Sequence, residues 1–230
     1  MLVFSLFRSE VVLTRRAAVF TPLVGILAHP QKSEASVTQQ GMQAFSEGKV
    51  EESIERYDSV IEANPQLKPY LWQRGLSLYY ADRFAEGAEQ FAADVAVNPN
   101  DTEEQIWHLL CLARLYGGLE KARPFKLTVG TDQRKVMRQV QALFLSGSIK
   151  DEAALAETAK EGDAFSKFYA ALYLSLYYES LADKDKAEAR MREAVATEYA
   201  QGRGRADPMV VLARVAVERR GWADSGIYRR

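Results

Sequence analysis

A sequence pattern that returns every 34 residues restricts the fold of this chain more than any other feature. Gly41 and Gly75 are 34 residues apart, and the aromatic residues Tyr57 and Phe91 keep the same spacing. Repeats of about 20–50 residues indicate stacked units that bury a core only together. We therefore expect a row of similar units rather than one irregular domain. Two further pairs share the spacing, namely Ile61 with Val95 and Asn64-Pro65 with Asn98-Pro99.

The segments inside each unit have the period of an amphipathic helix. Apolar residues recur at steps of three and four over 50–63 (VEESIERYDSVIEA) and over 84–97 (FAEGAEQFAADVAV). This spacing places them on one face of a helix. The proline after each segment ends the helix, because proline lacks the backbone N–H and clashes with the preceding turn. Each unit is therefore predicted to be a pair of helices.

A small residue, an aromatic residue and a proline at these offsets resemble the tetratricopeptide repeat (TPR) signature. The resemblance implies an all-α fold, a solenoid of TPR helical hairpins with a C-terminal capping helix. Residues 36–230 are expected to form this domain. The expected units are repeats at about 34–67 and about 68–101, a degenerate repeat at 102–161, a repeat at 164–199 and the cap at 207–221.

The third unit departs from the pattern. Its first helix is expected to begin at Asn100-Asp101-Thr102, which is a good N-cap run, and to end at Gly117-Gly118. Pro124 interrupts the helix that should follow. Two more helices are predicted within 132–161, separated near Ser146-Gly147-Ser148.

A last helix pair follows at 164–199. Its LSLYY segment at 174–178 repeats residues 76–80 letter for letter. Pro208 fits the first turn of a final helix, where the missing N–H costs nothing. That helix is predicted to cap the end of the row.

Residues 1–35 differ in composition from the rest of the chain. Three arginines precede or adjoin an apolar run at 17–28 (AAVFTPLVGILA) that is shorter than the ~20 residues of a membrane-spanning helix. This pattern predicts a targeting peptide cleaved near Ala35. Arg15-Arg16 resembles a twin-arginine export signal, which implies the thylakoid lumen or the bacterial periplasm. A mitochondrial presequence and an amphipathic first helix are the alternatives.

Composition and motifs argue against several kinds of chemistry. The net charge is -1, so the chain has no general attraction to nucleic acid or anionic membranes. Cys111 is the one cysteine, which excludes an intramolecular disulfide and a four-cysteine zinc site.

The sequence also lacks the common catalytic and phosphate-binding motifs. Gly48-Lys49 lacks the remainder of a phosphate-binding loop, and neither G-x-S-x-G nor H-E-x-x-H occurs. His108 lies three residues before Cys111 without further ligands nearby. We therefore expect no enzyme activity, no metal site, no cofactor and no small-molecule substrate.

The stacked arrangement predicts where a partner protein would bind. In TPR stacks the first helix of each pair lines a concave groove, and aromatic and arginine residues are enriched at binding hot spots. Trp72 and Tyr79 are the strongest candidates, and replacing both by alanine is expected to weaken binding without unfolding the protein. A core position is the alternative for the same side chains. The predicted groove consists of Met42, Phe45, Trp72, Leu76, Tyr79, Tyr80, Ile106, Leu110 and Arg114.

Several stretches within residues 36–215 resemble the bacterial TPR lipoproteins of the NlpI type. They are Asp58-Ser59-Val60-Ile61 with Pro65, RGLSLYY at 74–80, Asn98-Pro99-Asn100-Asp101 with Trp107, and the pair at 168–195. The resemblance implies a dimer-forming adaptor that docks other proteins, such as a processing protease, or that helps a membrane complex to assemble. This chain has no cysteine at the end of the leader, so a lipid anchor is not carried over.

The predicted function is therefore a non-catalytic scaffold whose partners are proteins, with a homodimer also considered. RNA binding is the alternative, because basic residues gather near the C-terminus. The sequence shows no stacking-aromatic pattern beside them, so nucleic acid is not the expected main partner. The basic residues are Arg203, Arg205, Arg214, Arg219, Arg220, Arg229 and Arg230.

Overall fold

The computed structural model describes residues 34–223, and every regular element in that range is a helix. The prediction of an all-α fold is confirmed. Short 3₁₀ turns at Pro65–Tyr70 and Arg123–Phe125 join some of the helices. The helices are α1 (Glu34–Ser46), α2 (Val50–Ala63), α3 (Trp72–Tyr80), α4 (Phe84–Val97), α5 (Thr102–Tyr116), α6 (Leu119–Ala122), α7 (Lys135–Ser146), α8 (Ile149–Glu161), α9 (Ala164–Ser180), α10 (Lys184–Ala196), α11 (Glu198–Gln201) and α12 (Pro208–Arg219).

The repeated glycines lie where two helices of one pair touch. A Cβ atom on Gly41 would stand 2.7 Å from Cζ of Tyr57, and one on Gly75 would stand 2.5 Å from Cζ of Phe91. Carbon atoms in van der Waals contact are about 3.5–4.0 Å apart, so no larger residue fits at either glycine. The 34-residue spacing thus repeats one packing contact, an aromatic ring of the second helix against a bare backbone of the first.

The helix that follows α5 is interrupted at the proline, as the sequence predicts. Asp101 caps α5 by accepting a hydrogen bond from the Glu103 N–H, and Gly117 ends the helix with a φ of 77°. The following helix, α6, has four residues before Pro124 falls inside a 3₁₀ turn. The interruption follows from the proline ring, which removes a backbone donor and restricts the residue before it.

The first helices of the pairs contact one another in a row. In order along the chain, α1, α3, α5, α7 and α9 each touch the next, and α5 also touches α9. Twelve of the 17 residues of α9 and 11 of the 15 residues of α5 are buried. A helix that is apolar and buried on most sides lies in the interior, so α5 and α9 form the centre of the fold.

The last helix contacts more of the fold than a cap on the final pair requires. We expected α12 to cap the final pair at one end of the row. It contacts α10, as expected, but it also contacts α1 and α3 from the beginning of the row. The chain therefore curves back on itself, and α12 packs against the first helices as well as against the last pair. Its buried residues are Met209, Val210, Leu212, Ala213, Val215, Ala216 and Val217.

Candidate functional site

Six of the nine predicted groove residues lie in the core. They are 1% exposed or less, whereas a partner protein needs an accessible side chain. The expectation of an open groove along these positions is thus corrected to a covered inner face. Its buried residues are Phe45, Leu76, Tyr79, Tyr80, Ile106 and Leu110.

The end of α12 and the neighbouring aromatic rings cover this face. The Arg220 guanidinium lies 5.9 Å from the ring centroid of Tyr79 and 5.3 Å from that of Tyr80. The Arg219 side chain donates to the Tyr80 carbonyl oxygen, and Trp107 packs edge-on against Tyr79 at 5.2 Å. Removing Tyr79 would therefore empty a core position, and the expectation that its alanine variant keeps its stability does not fit this packing.

The other three predicted residues lie at the margins of the inner face. Met42 is half-buried against the core. Trp72 lies beside a cavity at the N-terminal ends of several helices, and Arg114 lies beside a larger cavity at the C-terminal ends. The helices α3, α5, α9 and α12 run in the same direction, because their starts meet at the first cavity and the ends of α5, α9 and α12 meet at the second.

The larger cavity, which we call the C-terminal mouth, has a volume of about 790 Å³. It lies among the ends of α5 and α9, the short helix α6, the start of α10 and the residues after α12. Apolar side chains form its walls and four cationic side chains surround it. Its main lining residues are Ala113, Arg114, Leu119, Lys121, Glu179, Leu181, Lys184, Ala187, Arg220 and Trp222.

One carboxylate holds the C-terminal mouth together. Glu179 Oε1 accepts hydrogen bonds from Arg220 Nε at 2.7 Å and from Arg114 Nη1 at 3.2 Å. An acid at a helix C-terminus opposes the helix dipole, so the two arginines beside Glu179 stabilise it at the end of α9. The three helix ends and their charges are thus joined in one network that also seats α12.

Exposed apolar side chains concentrate near the same mouth. Of the seven large apolar residues that are exposed in the described part of the chain, four lie on its lining segments or next to them. Within this group, the rings of Tyr116 and Phe125 contact each other with centroids 5.3 Å apart. Clustered exposed aromatics beside a cavity are typical of an interaction surface. The four residues are Leu115, Tyr116, Phe125 and Leu181.

The smaller cavity, which we call the N-terminal mouth, has a volume of about 260 Å³ and an acidic lining. Glu103 accepts hydrogen bonds from the Tyr173 hydroxyl at 2.8 Å and from Arg134 Nη1 at 2.9 Å. Asp207 caps α12 and accepts hydrogen bonds from the hydroxyls of Tyr169 and Tyr199. These contacts fix the start of α12 to the centre of the fold. The lining residues are Trp72, Leu76, Asp101, Glu103, Glu104, Trp107, Tyr169, Asp207, Pro208 and Met209.

Three carboxylates converge where α4 passes into α5. Oxygen atoms of Asp94, Asp101 and Glu104 all lie within 4.8 Å of one another. Burial, together with the hydrogen bond to Asp101, raises the pKa of Glu104 well above its ordinary value, and burial raises the pKa of Asp94 to about 6. The charged forms are disfavoured because water is excluded and like charges are close.

His108 and Cys111 are both packed in the interior of α5. The Cys111 thiol is fully buried, and burial raises its pKa above the ordinary range. Burial lowers the pKa of His108, which keeps the imidazole neutral. A nucleophilic cysteine requires the opposite shift, towards the thiolate. This pair therefore offers no activated nucleophile.

The described arginines near the C-terminus are largely engaged within the protein. Arg219 pairs with Glu51 at 3.1 Å, Arg220 binds Glu179, and Arg214 donates to the Ala200 carbonyl oxygen. Arg203 lies over the Tyr199 ring. Arg229 and Arg230 lie outside the described residues. Four of the five described arginines of this group thus make intramolecular contacts, and Arg205 is exposed.

Sequence reasoning missed Glu179, Arg220 and Trp222 at the C-terminal mouth. A signal for Glu179 was present, because the repeated LSLYY segment is followed by Ala81 in one copy and by Glu179 in the other. An acid at the end of an apolar helix indicates a cationic partner. Which cation binds Glu179 depends on where α12 packs, because Arg220 follows that helix.

No protein-family model matches the chain. Among the described residues, no helix combines the length and the apolar character that crossing a membrane requires. The predicted targeting peptide and its cleavage near Ala35 fall in or at the edge of a segment that lies outside the described residues.

Proposed function

We propose that this chain is a TPR-type helical solenoid that acts as a non-catalytic adaptor and holds another protein at the C-terminal mouth. The glycine–aromatic contact that recurs after 34 residues supports the TPR-type arrangement. The row of first helices is consistent with it. In this proposal α12 covers the face that an open solenoid would present, and the partner binds at the C-terminal ends of α5, α9 and α12 instead.

The observation that carries the proposal is the character of the C-terminal mouth. A cavity of about 790 Å³ is large enough to accept one or two side chains of a peptide. It combines apolar walls with cationic groups, and the exposed Tyr116–Phe125 pair adjoins it. A site built for catalysis would instead bring a nucleophile or a base together with a stabilising group.

The charges of the mouth favour an acidic segment with a large apolar side chain as the partner. Four cations, Arg114, Lys121, Lys184 and Arg220, face two carboxylates, Glu120 and Glu179, and Glu179 is already bound by two of the arginines. Complementary charge increases the association rate and selects the partner. A processing protease or a subunit of an assembling membrane complex in an exported compartment remains the predicted source of such a segment.

A defined peptide set tests this proposal. Fluorescent peptides that combine glutamate with phenylalanine or leucine are titrated with the protein and followed by anisotropy. Charge-reversed peptides of the same apolar content are the comparison. The test variant is Lys121→Glu with Lys184→Glu, because both lysines line the mouth and are exposed. Its matched control is Lys150→Glu with Lys160→Glu, two exposed lysines of α8 that do not line it.

We expect binding of the acidic peptides, about tenfold weaker binding by the mouth variant, and wild-type binding by the control. If both variants bind the peptides equally weakly, the loss of affinity reflects the net charge of the protein, and the C-terminal mouth is not the binding site. Binding of single-stranded RNA, steeply weakened by salt and insensitive to Lys121 and Lys184, would favour the RNA-binding alternative.

A further inference from the structure

The three converging carboxylates come from two consecutive helices and the turn between them. Asp94 is in the last turn of α4, Asp101 is the N-cap of α5, and Glu104 is in the first turn of α5. The turn is held by the Asp101 carboxylate, which accepts hydrogen bonds from the Asn98 side-chain amide and the Glu103 N–H. Their positions are therefore fixed by backbone geometry rather than by flexible surface side chains.

The charge of this cluster is not balanced by a basic residue. Asp94 is 4% exposed and Glu104 is 5% exposed, yet within residues 34–223 neither forms an ion pair with lysine or arginine. The nearby Arg134 binds Glu103 and Asp132 instead. Buried carboxylates are normally paired with a cation or bound to a metal, because an isolated buried charge is very costly.

An oxygen of Glu104 points to a missing ligand. Glu104 Oε2 is buried and has no hydrogen-bond partner, although buried polar atoms are nearly always satisfied. A buried carboxylate oxygen without a hydrogen-bond partner, inside a cluster of carboxylates, is suited to a hard cation.

We propose that Asp94, Asp101 and Glu104 bind a calcium ion at the junction of α4 and α5. Ca²⁺ holds its oxygen ligands at about 2.3–2.6 Å, so two ligand atoms are at most about 5 Å apart. The 4.8 Å limit on the separations in the cluster agrees with this span. Mg²⁺ usually keeps several waters and binds through one or two carboxylates, whereas three protein carboxylates converge here.

A calcium ion could reach this site from the N-terminal mouth, and its binding would stabilise the junction of α4 and α5. Asp101 and Glu104 also line the N-terminal mouth, so the cluster borders a cavity rather than a closed core. A bound ion would join the end of α4 to the start of α5 and would neutralise the carboxylates there. The ion then stabilises the junction between the second and third units of the row.

Terbium luminescence provides a direct test on the purified full chain. Tb³⁺ replaces Ca²⁺ in oxygen sites, and Trp107, which lines the same mouth as Glu104, can sensitise its emission. The measurements are Tb³⁺ emission under tryptophan excitation, its displacement by Ca²⁺, and the urea midpoint with and without Ca²⁺. The test variants are Asp94→Asn and Glu104→Gln, which keep the size of the side chains. The matched control is Glu157→Gln, an exposed acid of α8.

We expect sensitised emission that Ca²⁺ displaces and that the two test variants reduce by about tenfold or more. Calcium is expected to raise the urea midpoint of the wild type and of Glu157→Gln, and not that of Glu104→Gln. The proposal is overturned if Tb³⁺ emission is absent, if it persists in Glu104→Gln, or if calcium leaves the wild-type midpoint unchanged. In those cases a proton held between Glu104 and Asp101 is what balances the cluster.

Discussion

Arg220, the residue after α12, donates a hydrogen bond from Nε to Oε1 of Glu179 at the end of α9, at 2.7 Å. Their side chains are 17% and 12% exposed, so water screens the pair little. Arg114 at the end of α5 binds the same oxygen. Three helices of the fold therefore meet at one carboxylate, and α12 is held over the inner face at the point where Arg220 also covers Tyr79 and Tyr80.

The first prediction concerns this pair. Arg220→Met removes the charge while keeping much of the side-chain volume, and leaves Glu179 with a single cationic partner. We expect a loss of about 2–3 kcal/mol in the free energy of unfolding, measured by urea titration. Arg205→Met, at an exposed loop position, should change it by less than about 0.5 kcal/mol. If both variants match the wild type, Glu179 does not hold the end of α12.

The second prediction contrasts two buried tyrosines. The Tyr79 hydroxyl is buried without a hydrogen-bond partner, whereas the Tyr173 hydroxyl donates to Glu103. Tyr79→Phe removes an unsatisfied polar group and should leave stability unchanged or raise it by about 1 kcal/mol. Tyr173→Phe should lower it by about 2 kcal/mol, because a bond to a carboxylate is lost.

Chemical denaturation of both phenylalanine variants and of Tyr79→Ala checks these expectations. Tyr79→Ala should cost about 3–5 kcal/mol, since it leaves a cavity among tightly packed rings. A stable Tyr79→Ala variant with intact helicity would mean that this side chain is accessible after all, as the groove prediction requires.

The helices themselves could be predicted from the sequence, and the reason is local. The apolar period and the prolines define α2 at Val50–Ala63 and α4 at Phe84–Val97, and both ranges coincide with the predicted segments. The cap at Asp101 and the break at Pro124 likewise depend on neighbouring residues. Such features need no knowledge of the tertiary arrangement.

The place of α12 and the accessible site could not be predicted in the same way. The apolar period of α12 shows that one face is buried, but which surface covers it depends on the curvature of the whole row. That curvature passes through the degenerate third unit, for which the repeat supplies no template. The groove residues were accordingly assigned to a partner, although α12 and its flanking arginines cover them. Asp94 and Asp101 resemble ordinary helix-end residues until α4 and α5 are placed together.

The third prediction concerns pH and His108. Burial lowers the pKa of His108 in the folded protein, whereas in the unfolded chain it is about 6.5. As the pH falls below that value, the unfolded state binds more protons than the folded state, so the stabilisation from a neutral His108 is lost. Between pH 7.5 and pH 5.5 the wild type should lose about 1 kcal/mol more than His108→Gln.

Urea titrations of both proteins at several pH values measure this difference, and the carboxylates common to both cancel in the comparison. Parallel stability profiles for the two proteins would show that His108 is accessible to protons in the folded state.

The last prediction concerns the backbone at the edge of the C-terminal mouth. Ala182 has a φ of 60°, in the left-handed region where an L-residue with a Cβ is disfavoured. Ala182→Gly should therefore raise the free energy of unfolding by about 0.5–1 kcal/mol, after allowing for the larger entropy of glycine in the unfolded chain. Asp82, which also has a positive φ of 56°, is the poorer choice, because its carboxylate lies 3.7 Å from Arg114. Ala153→Gly, at an exposed position inside α8, is the matched control and should lower stability by about 1 kcal/mol. A higher thermal midpoint for Ala182→Gly and a lower one for Ala153→Gly would support backbone strain at Ala182. Lower midpoints for both variants would show that the backbone at Ala182 is not strained.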